Sequence, residues 1–349
     1  MIVTHIIPRG VFANTYQGSY KDTISRVRVF ESARVDYRQV LVDGDDPRPV
    51  LDALRSEDPT LRVLVEYSHY PRILRAVRRR WPDSFIAVRA HNIEPLQHLD
   101  NHGWWPRRGP LWVTYGMGRL FAADIVNKRV ADVILPISDW EARVYWARLP
   151  GKARVEWLPY CCPDHLVPKS PLPADQRRIV ACLPTSQKNR KSWDLATRFI
   201  NFAEMMKAAG ADHDFVVTGD LSGWRLPPSA AVSFAGMVKD LREFLAQVKA
   251  VALLSPLGYG FKTTIGDALA AGAQVIAHPR LAHRCPALLV PQLLTVNTVT
   301  GFGLEKVIQG LRCRCASNEL DLELRQRSHG VLSTFLGGPR GPSATPNPA

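Results

Sequence analysis

Short apolar runs alternate with helical patterns along almost the whole chain, and this alternation constrains the fold more than any other feature. Residues 3–7, 39–42, 63–66, 85–89 and 133–136 form a first series of strand candidates, and 179–183, 215–218, 232–234, 250–254 and 274–277 a second. Helical stretches lie between many of them, at 21–33, 70–80, 120–129, 191–209 and 241–248. A strand joined to the next through a helix runs parallel to it, and a parallel sheet needs cover on both faces. The expectation is an α/β chain made of two Rossmann-like, doubly wound parallel-sheet domains in tandem. Ligands of such sheets sit beyond the carboxyl ends of the strands, so two domains facing across a cleft would put a ligand between those ends.

The alternation breaks once. Residues 160–177 carry Pro163, Pro168, Pro171 and Pro173, a composition that suits an inter-domain connection. The expected boundaries are 1–160 for an N-terminal domain, 161–177 for the linker and 178–336 for a C-terminal domain, with the last helix free to pack back on the first domain. Residues 337–349 are rich in Gly, Pro and Ser and read as a disordered tail. With 349 residues in all, each domain is long enough to bury its own core.

The apolar fraction of 46% and charged fraction of 22% are those of a soluble globular protein. Apolar runs fall short of the roughly 20 residues of a membrane span, and the opening MIVTHIIPRG reads as a first strand rather than a secretory leader. The six cysteines form no C-x-x-C pair, so they signal neither a zinc site nor a redox motif. Reduced thiols and a cytoplasmic location are expected. The net charge of +13 is spread over both halves. It favours anionic partners: nucleotide-sugars, phospholipid head groups or nucleic acid.

Residues 250–277 carry the clearest chemistry. An apolar strand leads into Ser255, Pro256 and Leu257, then into Gly258-Tyr259-Gly260 and Phe261-Lys262-Thr263-Thr264; a helix follows and closes at Gly272. A strand, a glycine loop and a helix start present free backbone N–H groups to an anion. Lys262 adds a charge, and Thr263 and Thr264 add hydroxyls, so a pyrophosphate would be well served. Asp267 has two readings. It reaches back to an N-cap Thr264 as the acid of a capping-box variant, or it accepts hydrogen bonds from ribose hydroxyls.

This segment resembles the donor-site motif of family 4 retaining glycosyltransferases, which have the two-domain GT-B fold. A common form runs G-x-G-x-K-x-x-x-x-E-A-L-A-x-G-x-x-V. Gly258, Gly260, Lys262, Ala268, Leu269, Ala270, Gly272 and Val275 match it in register. Asp267 stands where the family usually has Glu, and Tyr259 stands where it has a first acid that helps hold the donor sugar. That departure leaves the sugar open. Further matches imply that Gly219 lies beside the nucleotide base and that Met237 and Val238 belong to the segment whose backbone reads it. The family also places an Arg and a Lys on the donor diphosphate after the first strand of the second domain. Lys191 matches the lysine, with Lys188 or Arg190 as its partner. A cation at a helix N-terminus is disfavoured unless an anion is nearby, which favours this reading over a merely solvated lysine.

In the first half, the string Arg89-Ala90-His91-Asn92-Ile93-Glu94 closes a strand and resembles a motif of some family members. There the histidine faces the donor sugar, so His91 is expected in the active cleft, with Asn92 and Glu94 on the acceptor side. Glu94 reads equally as a first-turn acid of a helix. The stretch from Ala131 to Ser138 is similar to a family strand that ends at the cleft, which puts Ser138 there. Arg9-Gly10 and Gln17-Gly18-Ser19 are the candidates for the family's acceptor-loop glycines, Gly18 among them. Arg72, Arg75, Arg78, Arg79 and Arg80 crowd one helix, and Trp104, Trp105, Arg107 and Arg108 lie near Trp112. These suit an anionic membrane surface, a solvated face with a packed aromatic loop, or sugar stacking. Asp43-Gly44-Asp45 and Asp212-His213-Asp214 have D-x-D spacing but read as loop residues, and no metal site is expected.

The resemblance thus implies His91, Lys191 and Lys262 as catalytic residues. Arg190, Gly219, Met237, Val238, Gly258, Tyr259, Gly260, Phe261, Thr263, Thr264 and Asp267 would bind the donor. It implies transfer of a sugar from a nucleoside-diphosphate sugar to a glycan or lipid-linked acceptor, with retention of configuration and no required cofactor. Bacterial polysaccharide or lipopolysaccharide assembly at the inner face of the cell membrane is the setting it suggests; nucleic acid is not an expected partner. The competing reading is a catalytically degenerate GT-B protein that serves as a partner or scaffold in a glycan-assembly complex.

Overall fold

The computed structural model describes residues 1–13, 17–33, 35–54, 61–102, 109–184, 190–221, 223–313 and 319–337. The chain divides into two compact units. Unit 1 comprises Met1–Pro95, Arg108–Cys161 and Leu322–Ala349, and unit 2 comprises Leu96–Arg107 and Cys162–Asp321. Each has its own six-stranded sheet, and every strand pairing is parallel.

The sheet of unit 1 contains β1 (Ile2–Pro8), β2 (Asp36–Val42), β3 (Arg62–Glu66), β4 (Phe85–Ala90), β5 (Val133–Pro136) and β6 (Arg154–Val155), in the order β2-β1-β3-β4-β5-β6. Its helices are α1 (Gly18–Ser32), α2 (Arg48–Ala53), α3 (Pro71–Arg80), α4 (Glu94–His102, continuing into unit 2), α5 (Gly109–Val130) and α6 (Asp139–Val144). Alternate residues of one strand serve opposite faces. Val63 and Val65 of β3 therefore pack with Ile73, Leu74 and Val77 of α3, while Leu64 packs with Phe30 of α1 and with Val331, Leu332 and Phe335. Those last three residues belong to the C-terminal helix Glu319–Phe335. Each such side chain contributes about 1.5–3 kcal/mol on full burial.

The acidic D-x-D pairs serve the scaffold. Asp45 accepts from the N–H groups of Arg72 and Ile73, at 3.0 Å each, and so satisfies the N-terminus of α3. Asp43 pairs with Arg9, and Asp212 pairs with Arg178. Arg78 is likewise committed, bonding Asp132 at 2.6 Å and the carbonyls of Pro82, Ser84 and Val130.

Unit 2 contains β7 (Ile179–Cys182), α7 (Arg190–Ala208), β8 (Asp214–Thr218), β9 (Val232–Gly236), α8 (Leu241–Leu245), β10 (Val248–Leu253), α9 (Thr263–Ala270), β11 (Gln274–Ala277), α10 (Pro279–Ala282), β12 (Leu293–Thr295) and α11 (Leu304–Cys313). The strand order is β12-β11-β10-β7-β8-β9. All six residues of β10 are buried, as a central parallel strand requires. Phe199, Phe202, Ala203 and Met206 of α7 pack on Phe215 and Val217 of β8 and on Ala250 and Ala252 of β10. Cys161, Cys162, Cys182 and Cys285 are buried. Among the described residues no helix is long and apolar enough to cross a membrane.

Candidate functional site

The chain order in unit 2 reverses at β7, which has β8 on one side and β10 on the other. Such a switch point leaves a crevice beyond the carboxyl ends of the two diverging strands. Lys191, in the first turn of α7, follows β7 there, and the loop from Leu254 to Lys262 follows β10.

Gly258 is the pivot of that loop. Its φ is +94°, a conformation that L side chains rarely adopt. A Cβ at this position would also lie 2.7 Å from Lys262 Nζ and 3.6 Å from Lys191 Nζ. Two ammonium groups thus converge on one backbone position, which only glycine leaves open. The loop is held from several sides. Arg284 donates to the carbonyls of Gly258 and Pro256, and its guanidinium stands 5.1 Å from the centre of the Tyr259 ring. Ser255 ties the loop to α7 through Asp194, at 2.6 Å. In a trans peptide the C=O and N–H point to opposite sides. With the Gly258 carbonyl turned to Arg284, the Tyr259 N–H is therefore presented on the other side of the loop. There it meets Gln97 at 3.1 Å, while the neighbouring Gly258 N–H meets Asp100 at 2.5 Å.

Lys262 is half-buried. Burial lowers its pKa to about 8; Lys191 and Arg284 push the same way, and Asp100 opposes them. It occupies the N-cap position of α9 with extended backbone, so the helix begins at Thr263 and not after Thr264. This corrects the capping-box reading of Asp267: Thr264 is inside the first turn, and Asp267 is too far along the helix to serve as its third residue. Asp267 is buried at 2% exposure. At the far end, the Ala273 N–H bonds the Ala268 carbonyl and the Gly272 N–H bonds the Leu269 carbonyl, with Gly272 at φ +68°. That is a Schellman stop. Gly260 and Phe261 are buried, Thr263 and Thr264 half-buried, and Arg190 is exposed at the start of α7.

A cavity of about 370 Å³ opens beyond β8 and β9, lined by Gly219, Asp220, Leu221, Phe234, Gly236 and Met237. Gly219 has φ +94°, and its N–H bonds the Gly236 carbonyl at 2.7 Å, which draws the two strand ends together. Phe234 and Met237 are each 51% exposed, so an aromatic face and a thioether stand open beside glycine backbone. Val238, expected at the base, is half-buried and does not line the cavity. The cavity lies two strands across the sheet from the β7–β10 switch point, about 10 Å at the usual strand spacing. That is the reach of a nucleoside between its base and its phosphates.

In unit 1 the residues after β3 and β4 form a buried ion network. Glu66 bonds His5 at 2.6 Å, Arg26 at 2.7 Å and His91 at 2.9 Å. Asp22 bonds Arg26 and Arg89, both at 2.9 Å. Burial alone would raise both carboxyls, but the guanidiniums and histidines hold Asp22 below, and Glu66 well below, the usual range. Burial lowers the His5 pKa despite Glu66. The His91 ring stacks on Tyr67 at 4.1 Å, and Tyr67 has a φ of 70°, the one positive value outside glycine among the described residues. Asn92 donates to Glu94 at 3.2 Å, and His69 pairs with Glu94 at 3.1 Å. Burial opposes ionisation of Glu94, yet His69 and Asn92 hold its pKa below the usual value. Gly18 begins α1. Ser138 is fully buried and caps α6 by accepting from the Glu141 N–H at 3.1 Å.

Among the described residues, one group of acids and histidines comes close enough to share a metal: Asp22, Glu66 and His91, within 4.8 Å. A cation there would have to displace Arg26 from both carboxylates and Arg89 from Asp22.

Sequence reasoning missed Arg284, Gln97, Asp100 and Phe234. The first three come from segments without a motif, and Phe234 reads as a core residue of a strand. Lys188, residues 104–108 and the tail beyond 337 lie outside the described residues.

No model of a known protein family matches the chain, and no curated protein matches it. Solved structures do. Anabaena HepE in complex with UDP has a TM-score of 0.61 at 13% identity, covering 97% of this chain and 100% of that one. Sucrose-phosphate synthase from Thermosynechococcus elongatus has a TM-score of 0.60 at 13% identity, covering 97% of each chain. An E. coli trehalose-6-phosphate protein bound with UDP-2-fluoro glucose has a TM-score of 0.58 at 9% identity, covering 96% of each. The likeness spans both units and shows the fold: the two-domain α/β architecture called GT-B.

Proposed function

We propose that the protein is a glycosyltransferase that takes its donor, a nucleoside-diphosphate sugar, in unit 2. The observation that carries this reading is the convergence of Lys191 and Lys262 on Gly258 at the switch point of the sheet. Two cations beside a glycine loop and a helix start suit a diphosphate, and in the transition state they would stabilise it as it departs. The cavity at Gly219, Phe234 and Met237 suits the base, with the aromatic face for stacking. UDP is the first nucleotide to test, since HepE and the E. coli protein carry it or its fluoro-sugar.

The finer assignments rest on the motif resemblance. They are a hexosyl donor, retention of configuration, no required cofactor or metal, and a glycan or lipid-linked acceptor in polysaccharide or lipopolysaccharide assembly. Asp267 would hold the ribose, and His91, Asn92, Glu94, Gly18 and Ser138 the sugar and acceptor side. Arg72, Arg75, Arg79 and Arg80 support a cytoplasmic protein peripheral to an anionic membrane surface.

Calorimetry against a panel of nucleotide-sugars, followed by donor hydrolysis for any that bind, tests the reading. Binding of at least one donor with turnover severely reduced by Lys262→Ala supports it, and near-normal turnover in that variant refutes the site. The second reading, a non-catalytic GT-B partner, is favoured by Tyr259, whose ring is turned to Arg284 where the motif has an acid. No binding of any donor, with a stable complex with another transferase, would establish it.

A further inference from the structure

The loop that would receive a phosphate already holds an anion from its own chain. Gln97 and Asp100 lie one turn apart on α4, in the part that belongs to unit 2, and so point from the same helix face. The Asp100 carboxylate accepts the Gly258 N–H at 2.5 Å, and the Gln97 amide oxygen accepts the Tyr259 N–H at 3.1 Å. Asp100 also favours the charged states of Lys262 and Arg284. It thus occupies the hydrogen-bond donor that a ligand phosphate needs and offsets the same cations.

We propose that Asp100 is a resident anion of the Gly258–Lys262 site, which competes with the donor diphosphate and sets how tightly, and which, phosphates are held. The proposal rests on the reading of unit 2 as a nucleotide site. One N–H makes one strong bond, so a phosphate oxygen and the carboxylate cannot both take the Gly258 donor. A carboxylate brings one charge and two oxygens. A diphosphate brings two charges and more acceptors to a place faced by Lys191 of α7, Lys262 at the start of α9 and Arg284 beyond α10, so it displaces Asp100. A single inorganic phosphate carries up to two charges but spans fewer of these groups at once, so it displaces Asp100 less readily and is kept out. Gln97 holds the same turn of α4 against the loop without adding charge.

The test is calorimetry on the full chain with UDP and with inorganic phosphate as probes, comparing wild type with Asp100→Asn, Asp100→Ala, Gln97→Ala and Lys262→Ala. Removing the charge-assisted bond should tighten UDP binding about tenfold in both Asp100 variants. Inorganic phosphate should become measurable in them, while Gln97→Ala should change UDP binding less than threefold. Loss of the counter-charge in Asp100→Asn should also move the pH midpoint of UDP binding down, a shift that a purely structural contact would not produce. Asp100→Asn preserves shape, and agreement in sign with Asp100→Ala guards against a folding artefact. If wild type binds UDP and Lys262→Ala does not, yet Asp100→Asn binds UDP no tighter than wild type, the competitor role is wrong and the nucleotide site stands. If wild type and all variants fail to bind UDP, both ideas fall together.

Discussion

Lys262 should make nucleotide binding depend on pH in a window where an ordinary lysine would not. Its pKa in the free protein is lowered to about 8, by burial first and then by Lys191 and Arg284, with Asp100 opposing. A diphosphate beside it favours the ammonium and raises that pKa, so binding takes up a proton wherever free Lys262 has lost one. At pH 7 about nine-tenths of the free protein carries the proton, and at pH 9 about one-tenth does. Affinity for UDP should therefore fall about tenfold between pH 7 and pH 9, worth about 1.4 kcal/mol. The nucleotide's own phosphate, with a second pKa near 6, is ionised throughout. Calorimetry at half-unit steps of pH measures this directly. In Lys262→Met the slope should vanish and affinity at pH 7 should drop by at least tenfold. An unchanged UDP affinity from pH 7 to pH 9 in wild type, or the same slope in Lys262→Met, would refute the placement of Lys262 against the diphosphate.

Phe234→Ala should weaken UDP about tenfold, in line with about 1–3 kcal/mol per stacked base, and leave inorganic pyrophosphate unaffected; equal loss for both ligands would remove the base from that cavity. Gly258→Ala combines a disfavoured φ, worth about 1–2 kcal/mol, with a clash against Lys262 Nζ, so it should lower both the melting temperature and UDP affinity, and a neutral result would contradict the loop geometry. Glu66→Gln removes one of the two carboxylates on the buried Arg26 and the charge facing His5 and His91, and should cost up to about 3–5 kcal/mol in equilibrium denaturation; a loss below about 1 kcal/mol would mean that the network carries little. Burial raises Asp124 to about 7 against the bonds from Ser68 and Tyr145, so the native state binds a proton that the unfolded chain has released, and stability falls as pH rises from about 4 to about 7. Asp124→Asn should then gain about 2–3 kcal/mol on wild type between pH 5 and pH 8, and an unchanged difference would place Asp124 at an ordinary pKa.

The layout of both sheets could be read from the chain because a parallel strand buried on both faces leaves a continuous apolar run. Residues 250–254 and 275–277 are of this kind. The strands β6 and β12, of two and three residues, are too short to leave any pattern. The loop from Gly258 to Lys262 was legible because its parts are local: glycine, lysine and helix start sit within a few residues. What completes the loop comes from elsewhere. Arg284, Gln97 and Asp100 are lone polar residues whose partners appear only when α10 and α4 are placed. His91 was read from its motif, but its partners His5, Asp22, Arg26 and Glu66 were hidden for the same reason, since each reads singly until the fold brings them together. Phe234 was hidden in the opposite sense. An aromatic in a strand reads as core, but β9 ends the sheet and leaves its side chain half in solvent.

A crystal structure of the full chain with UDP is the most direct test of a nucleotide site in unit 2. The account predicts the base in the cavity between Gly219 and Phe234, the diphosphate against Lys191, Lys262 and the Gly258 N–H, and the Asp100 carboxylate withdrawn from that N–H. A nucleotide seated anywhere else on the chain, or a cavity and loop still empty at saturating UDP, would contradict it.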